Sequence, residues 1–270
     1  MKIPQNTFKQ ALRNGQQQYG FWLGLANPLS AELCAYTGYD WLLIDGEHAP
    51  NNLQTILAQL QAISGTSSHP VVRVVEGDTA LIKQMLDIGA QTLLVPMVET
   101  AEQAAQLVKA MHYPPNGVRG VGSALARASG WNQITGYFAA VDEQLCLLIQ
   151  IESVTGLNNL DEILKVDGID GVFIGPADLA GSMGYLGQPA HPEVKAAVTT
   201  ATQKIIAAGK AVGTLATNKA IATAYEQAGM QFIALGVDTL VLATTASSIL
   251  KNHLSKDDKQ EPNNSGNGAY

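Results

Sequence analysis

Charge is scarce in this sequence, and cysteine is scarcer. Charged residues make up 14% of the 270 positions against 46% apolar ones, which excludes a chain held disordered by its own charge. What charge remains is acidic, −7 at neutral pH. The 16 Lys and Arg are scattered, whereas a nucleic-acid surface needs them clustered. Two cysteines, Cys34 and Cys146, each sit inside an apolar run, the setting of a buried small hydrophobe. No run approaches the ~18 apolar residues of a membrane span. The opening Met1-Lys2-Ile3-Pro4-Gln5-Asn6-Thr7 lacks the apolar core of a signal peptide. A cytoplasmic protein with neither nucleic acid nor membrane as partner is expected.

What is present is a rhythm. Glycine precedes short apolar runs in Gly38-Tyr39-Asp40-Trp41-Leu42-Leu43-Ile44-Asp45, in Gly89-Ala90-Gln91-Thr92-Leu93-Leu94-Val95, and again from Gly209 and Gly229. Glycine takes the left-handed conformation after a helix without cost, so each marks a helix-to-strand joint. With the less regular units this predicts strands near 20–25, 41–45, 70–74, 92–96, 145–151, 171–174, 211–215 and 232–235. Amphipathic helices are expected near 28–37, 51–64, 78–88, 100–111, 158–165, 193–208, 218–228 and 238–253. Eight alternating units with continuously apolar strands indicate a parallel sheet covered on both faces. A single-domain (β/α)8 TIM barrel over 1–254 is the economical closure. A doubly wound sheet is the alternative, although no Gly-rich dinucleotide loop follows any strand. Residues 112–144 form a long connection outside the count. The tail 255–270 is polar and rich in Asn and Gly, the composition of a disordered end.

Active sites of such barrels lie where the strands end. Gln150-Ile151-Glu152 closes one strand, and Gly175-Pro176-Ala177-Asp178 follows the next. Two carboxylates at neighbouring strand ends suit a hard divalent cation, which keeps waters and uses few protein ligands; the same acids could instead cap the helices that follow. Strand ends also carry Asp45-Gly46-Glu47-His48 and Arg73. His48 alone of the five histidines follows directly from a strand and reads as a general base. Arg73 reads as an oxyanion or carboxylate clamp, or else as a surface ion pair. Asp87, near a helix end, looks like an exposed acid. The lysines surveyed fall on helices or at a strand entrance, which argues against a Schiff base and leaves carbonyl activation to a metal.

The segments Phe21-Trp22-Leu23-Gly24-Leu25, Asp45-Gly46-Glu47-His48-Ala49-Pro50-Asn51-Asn52, Val118-Arg119-Gly120-Val121-Gly122-Ser123 and Gly171-Val172-Phe173-Ile174-Gly175-Pro176-Ala177-Asp178-Leu179 closely resemble the HpcH/HpaI family of class II, metal-dependent pyruvate aldolases. The resemblance runs from about residue 8 to about residue 250. It implies Glu152 and Asp178 as ligands of Mg2+, Mn2+ or Co2+. Gln150, Ala177 (through its backbone N–H) and Asp178 match contacts to a 2-oxo acid. His48 matches the catalytic base, Asp87 the acid hydrogen-bonded to it, and Arg73 the group that stabilises the enolate oxygen. Leu215 and Trp22 match residues shaping the aldehyde side of the pocket. The implied reaction is reversible retro-aldol cleavage of 4-hydroxy-2-oxoheptane-1,7-dioate to pyruvate and succinate semialdehyde, in 4-hydroxyphenylacetate (homoprotocatechuate) catabolism. Action on 2-keto-3-deoxy sugar acids is the alternative within the family. A silent barrel that senses a 2-oxo acid, or a phosphate-binding isomerase, lies outside it. Family membership also implies a homohexamer, with 112–144 as a contact candidate.

Overall fold

The computed structural model describes residues 2–255. Eight parallel strands close into a barrel in sequence order: β1 (Gln18–Leu23), β2 (Trp41–Asp45), β3 (His69–Arg73), β4 (Thr92–Val95), β5 (Cys146–Ile151), β6 (Gly171–Ile174), β7 (Ala211–Leu215) and β8 (Phe232–Val237). Burial on both faces explains their unbroken hydrophobicity. All five residues of β2 and all six of β5 are buried. Inward side chains such as Trp41, Leu43, Val71, Leu94, Leu148, Phe173 and Phe232 fill the barrel. A second, larger apolar layer packs between strands and helices. Aromatic bulk inside needs relief nearby. A Cβ on Gly20 would stand 2.1 Å from the Trp41 ring, so only glycine lets that indole lie across β1.

Around the barrel run α2 (Pro28–Ala35), α3 (Leu53–Ile63), α4 (Thr79–Asp87), α5 (Ala101–Met111), α10 (Pro192–Ala207), α11 (Lys219–Gln227) and α12 (Asp238–Leu254). Their starts carry side-chain caps where short polar residues precede them: Asn27, Asp78 and Asn218 accept from first-turn N–H groups. Asn52 and Thr100 form full capping boxes.

Four departures from the expected elements have local causes. A helix unforeseen in the sequence, α1 (Thr7–Arg13), closes the end of the barrel where the strands begin. It seats Phe8 and Leu12 in the barrel interior. Its Lys9, absent from the lysine survey, is buried there against the Leu145 carbonyl and Asp170. The helix expected at 158–165 is two short ones, α7 (Val154–Asn158) and α8 (Leu160–Ile163), because Ser153 caps a start four residues earlier. The 112–144 connection holds a 3-10 turn at Arg127–Ser129 and α6 (Tyr137–Gln144). An additional helix, α9 (Pro176–Ser182), follows β6 directly. Of the tail expected at 255–270, everything past Ser255 lies outside the described residues. Cys34 and Cys146 are free and buried, as their runs suggested. No described helix is long and apolar enough to cross a membrane.

Candidate active site

Asp45, last residue of β2, organises the strand-end face. Its Oδ1 accepts the backbone N–H groups of Glu47 (2.9 Å) and His48 (3.2 Å), folding the chain into a tight turn. Gly46 makes that turn feasible, since a Cβ there would stand 2.5 Å from the Arg73 carbonyl oxygen. The same carboxylate takes Arg73 in a two-pronged grip, Nε to Oδ1 at 2.9 Å and Nη2 to Oδ2 at 2.6 Å. Trp22 Nε1 donates to Oδ2 at 3.0 Å, and the Trp22 ring lies 4.9 Å from the guanidinium carbon. Burial pushes the Asp45 carboxyl up, but the hydrogen bonds and charge of Arg73, with the Trp22 and Glu47 donors, outweigh it and hold Asp45 below the usual carboxylate range.

Arg73 itself is buried at the end of β3, so it is no surface ion pair. Its Nη1 reaches Glu47 Oε2 at 2.8 Å and Gln150 Oε1 at 3.3 Å. Gln150 passes the connection on, donating Nε2 to Glu152 Oε2 at 2.7 Å. The other Glu152 oxygen accepts the Met97 N–H at 2.9 Å. Met97 holds φ +53°, a left-handed conformation that costs a non-glycine residue about 1 kcal/mol or more and here aims its N–H at the acid. Burial raises the Glu152 carboxyl to about 7, with Asp178 and Glu47 pushing the same way against Met97 and Arg73. Glu47 is raised too, chiefly by burial.

Asp178 and Ala177 stand exposed on the first turn of α9. The cap position there is Gly175, which offers no side-chain acceptor, so the first-turn N–H groups stay open to a ligand. A Cβ on Gly175 would stand 2.5 Å from Glu152 Oε2, so glycine keeps the space in front of that carboxylate clear. A buried acid whose charge burial disfavours, a second acid beside it and cleared space in front fit a hard divalent cation, which would supply the missing counter-charge. Among the described residues no cluster of three His, Cys, Asp or Glu could hold a metal. Two protein carboxylates leave the other coordination positions to water or substrate, as catalytic sites require.

His48 is largely exposed, with Nε2 3.8 Å from Glu47 Oε2. Leu215 ends β7, half-buried against the barrel interior. Trp22 is buried beneath Arg73 with its N–H committed, a floor under the cation more than a wall of the pocket. Asp87 departs from expectation. It closes α4, and barrel helices run antiparallel to the strands, so it lies at the end where strands begin. There Arg119, fully buried over the Tyr113 ring, donates Nη2 to Asp87 Oδ1 at 2.7 Å. One chain therefore does not bring Asp87 to His48, and Asp87 is a half-buried ion-pair partner and not the exposed acid its helix position suggested. Asp45, Glu47 and Met97 carry roles that the sequence reading did not assign. Asp45 and Glu47 left a signal as acids at the end of an all-apolar strand; Met97 left none.

Residues 18–245 match the HpcH/HpaI aldolase/citrate lyase family. The chain belongs to that family. A hydroxypyruvate/pyruvate aldolase of Pseudomonas aeruginosa is 59% identical over 242 residues, 90% of each chain. A 4-hydroxy-2-oxo-heptane-1,7-dioate aldolase of Salmonella dublin is 57% identical over 244 residues, covering 90% of this chain and 93% of that one. Among solved structures, an HpcH/HpaI aldolase/citrate lyase family protein from Burkholderia cenocepacia J2315 superposes with a TM-score of 0.89 at 38% identity, covering 93% of this chain and all of the other. As a family member the protein is an aldolase, a carbon–carbon lyase.

Proposed function

We propose that the enzyme cleaves 4-hydroxy-2-oxoheptane-1,7-dioate reversibly into pyruvate and succinate semialdehyde, a step in 4-hydroxyphenylacetate (homoprotocatechuate) catabolism. The observation that carries this reading is the continuous chain Asp45–Arg73–Gln150–Glu152 across the strand ends, which fixes a guanidinium and a carboxylate on one face. Glu152 and Asp178 would hold a divalent cation, Mg2+, Mn2+ or Co2+, which when bound supplies Lewis-acid polarisation of the 2-oxo group. Gln150 and the open N–H of Ala177 hold the substrate carboxylate. His48 accepts the proton of the C4 hydroxyl. The C3–C4 bond then breaks, the aldehyde departs, and the bonding pair remains on the three-carbon enolate. Arg73, locked by Asp45, faces the developing oxyanion, a role worth roughly 3–4 kcal/mol for a well-placed donor. Proton return to C3 yields pyruvate. Leu215 borders the aldehyde side.

Asp87 can serve His48 only from a second copy, and the homohexamer implied by the family is where we place that pairing. A second reading, aldol chemistry with hydroxypyruvate as nucleophile, is favoured by the relatives at 59% and 54% identity that bear that name; 2-keto-3-deoxy sugar acids form a third substrate class. One assay separates them: pyruvate release from the dioate and from a sugar-acid substrate, and hydroxypyruvate consumption with an aldehyde acceptor. Each is run before and after chelation, with Mg2+, Mn2+ and Co2+ added back singly. Full cleavage after chelation overturns the cation's role. A sugar acid outpacing the dioate overturns the substrate.

A further inference from the structure

The loop between β4 and α5 is tied down along its length. Residues 96–100 form no helix or strand, yet Val98 is buried. Three bonds join this loop to the end of β5. The Val98 N–H donates to the Gln150 carbonyl at 3.1 Å, and the Met97 N–H to Glu152 Oε1 at 2.9 Å. The Ser153 hydroxyl donates to Glu99 Oε1 at 2.6 Å. Gln150, Glu152 and Ser153 lie within four consecutive residues, so the loop runs beside the strand end that carries Glu152.

The other side of the loop is fastened too. Gln103 Oε1, the return arm of the α5 capping box, accepts the N–H groups of Glu99 (2.8 Å) and Thr100 (3.1 Å). Asn159 Nδ2 donates to the Glu99 carbonyl at 2.8 Å. Glycine at 156 lets α7 come close, since a Cβ there would stand 3.0 Å from the Val98 carbonyl oxygen. These ties have something to hold against. Met97 keeps its left-handed φ of +53° only while its surroundings impose it, and its own side chain is exposed. Val98 is held through its backbone, Glu99 through its side chain as well. Hydrogen bonds to a carboxylate are about twice as strong as those between neutral groups.

We propose that Glu99 is a positioning residue: by holding Ser153 it keeps the Met97 N–H on Glu152, and so keeps that carboxylate aimed at the divalent cation. The proposal rests on the reading of Glu152 as a ligand. Glu152 Oε2 is held by the Gln150 amide, and Oε1 by the Met97 N–H. With the second bond gone, the carboxylate turns about its terminal torsion, where the rotational wells are broad. A ligand aimed in advance then becomes one that has to be ordered when the cation arrives, and affinity falls.

Calorimetry of Mn2+ binding to the chelator-stripped full chain is the test. Glu99→Ala raises the dissociation constant roughly tenfold, the low end of what losing a ligand's supporting hydrogen bond costs. Glu99→Gln keeps an amide oxygen for the Ser153 hydroxyl and stays within about threefold of the native protein. In a Ser153→Ala background, Glu99→Ala makes no further difference, because its partner is already gone. The melting temperature of the stripped variants falls by no more than about 4 °C, the shift of one ordinary hydrogen bond in a chain of this size. A native constant for Glu99→Ala overturns the proposal. So does a loss in Glu99→Gln equal to that in Glu99→Ala, or a cost of Glu99→Ala that is the same with and without the Ser153 hydroxyl. Should Glu99→Ala fail to fold, Ser153→Ala compared with Ser153→Thr, which keeps the hydroxyl, gives the same reading. Glu152→Gln is the control. If it binds Mn2+ as tightly as the native chain, the ligand assignment falls and the proposal with it; a large loss there beside none in Glu99→Ala overturns the tether alone.

Discussion

The carboxyl of Glu152 gives the most direct physical test of the site. Burial holds it at about 7 against an ordinary 4.5. At roughly 1.4 kcal/mol per pH unit, that gap makes its ionisation in the cation-free protein cost on the order of 3 kcal/mol of folding stability. The sign follows from proton counting. Below pH 4.5 the group is neutral in folded and unfolded chains alike, so nothing is lost. Between 4.5 and 7 the unfolded chain releases the proton while the folded chain retains it, and stability falls as pH rises. Above 7 both are ionised and the loss is constant. Glu152→Gln keeps the shape of the acid without its proton, so the difference between native and variant stability isolates this group. Urea denaturation of chelated protein from pH 5 to 8 is the assay, with the native enzyme losing ground to the variant across that range. Added Mn2+ then restores the native enzyme at pH 8, by about 2.7 kcal/mol at a hundredfold excess over its dissociation constant, and does little at pH 5 or for the variant. Parallel curves for the two proteins would refute the reasoning, since burial would then not act on this acid.

Arg73→Lys keeps a charge but loses the two-pronged grip on Asp45, and both cleavage and pyruvate C3 proton exchange fall by roughly 100- to 1,000-fold; normal exchange, followed by NMR in deuterated water, removes Arg73 from enolate stabilisation. Gly175→Ala pushes a methyl into the Glu152 carboxylate, so calorimetry finds cation binding weakened at least about tenfold, with circular dichroism unchanged. His69, buried against Phe8 and within 2.8 Å of Thr92 Oγ1, is driven by burial from 6.5 to about 4. A depressed histidine stabilises the fold above 6.5 and loses that contribution as pH falls towards 4, up to roughly 3 kcal/mol; His69→Gln flattens this acid limb in denaturation curves.

The barrel was legible because its punctuation is local. Gly38, Gly89, Gly209 and Gly229 all take positive φ, between 73° and 104°, at the joints where a helix hands over to a strand. What escaped notice depends on distant partners. The seven residues of α1 have little apolar periodicity of their own and become a helix by docking Phe8 and Leu12 into a hole made by other strands. His48, Arg73, Gln150, Glu152 and Asp178 could be picked out because a strand end is a position that the sequence displays. Asp45 was legible as a strand end but not as a hub, because its role is conferred by Arg73, 28 residues away. Met97 left no signal, since a backbone N–H has no letter. Asp87 shows the converse limit: a family pattern names a residue, while the fold of one chain decides what it can touch.

Consider, finally, the stopper at the closed end. Asn6 bonds the Gln144 backbone and the Thr92 hydroxyl, and the amide of Gln231 holds the Leu12 carbonyl at 2.7 Å across 219 residues of chain. A ribosome releases α1 before any strand of the barrel, yet its seat is not complete until β8 has emerged. A segment made ahead of all eight strands is therefore seated only after the last of them, and the base of the barrel stays open while the strands are being made.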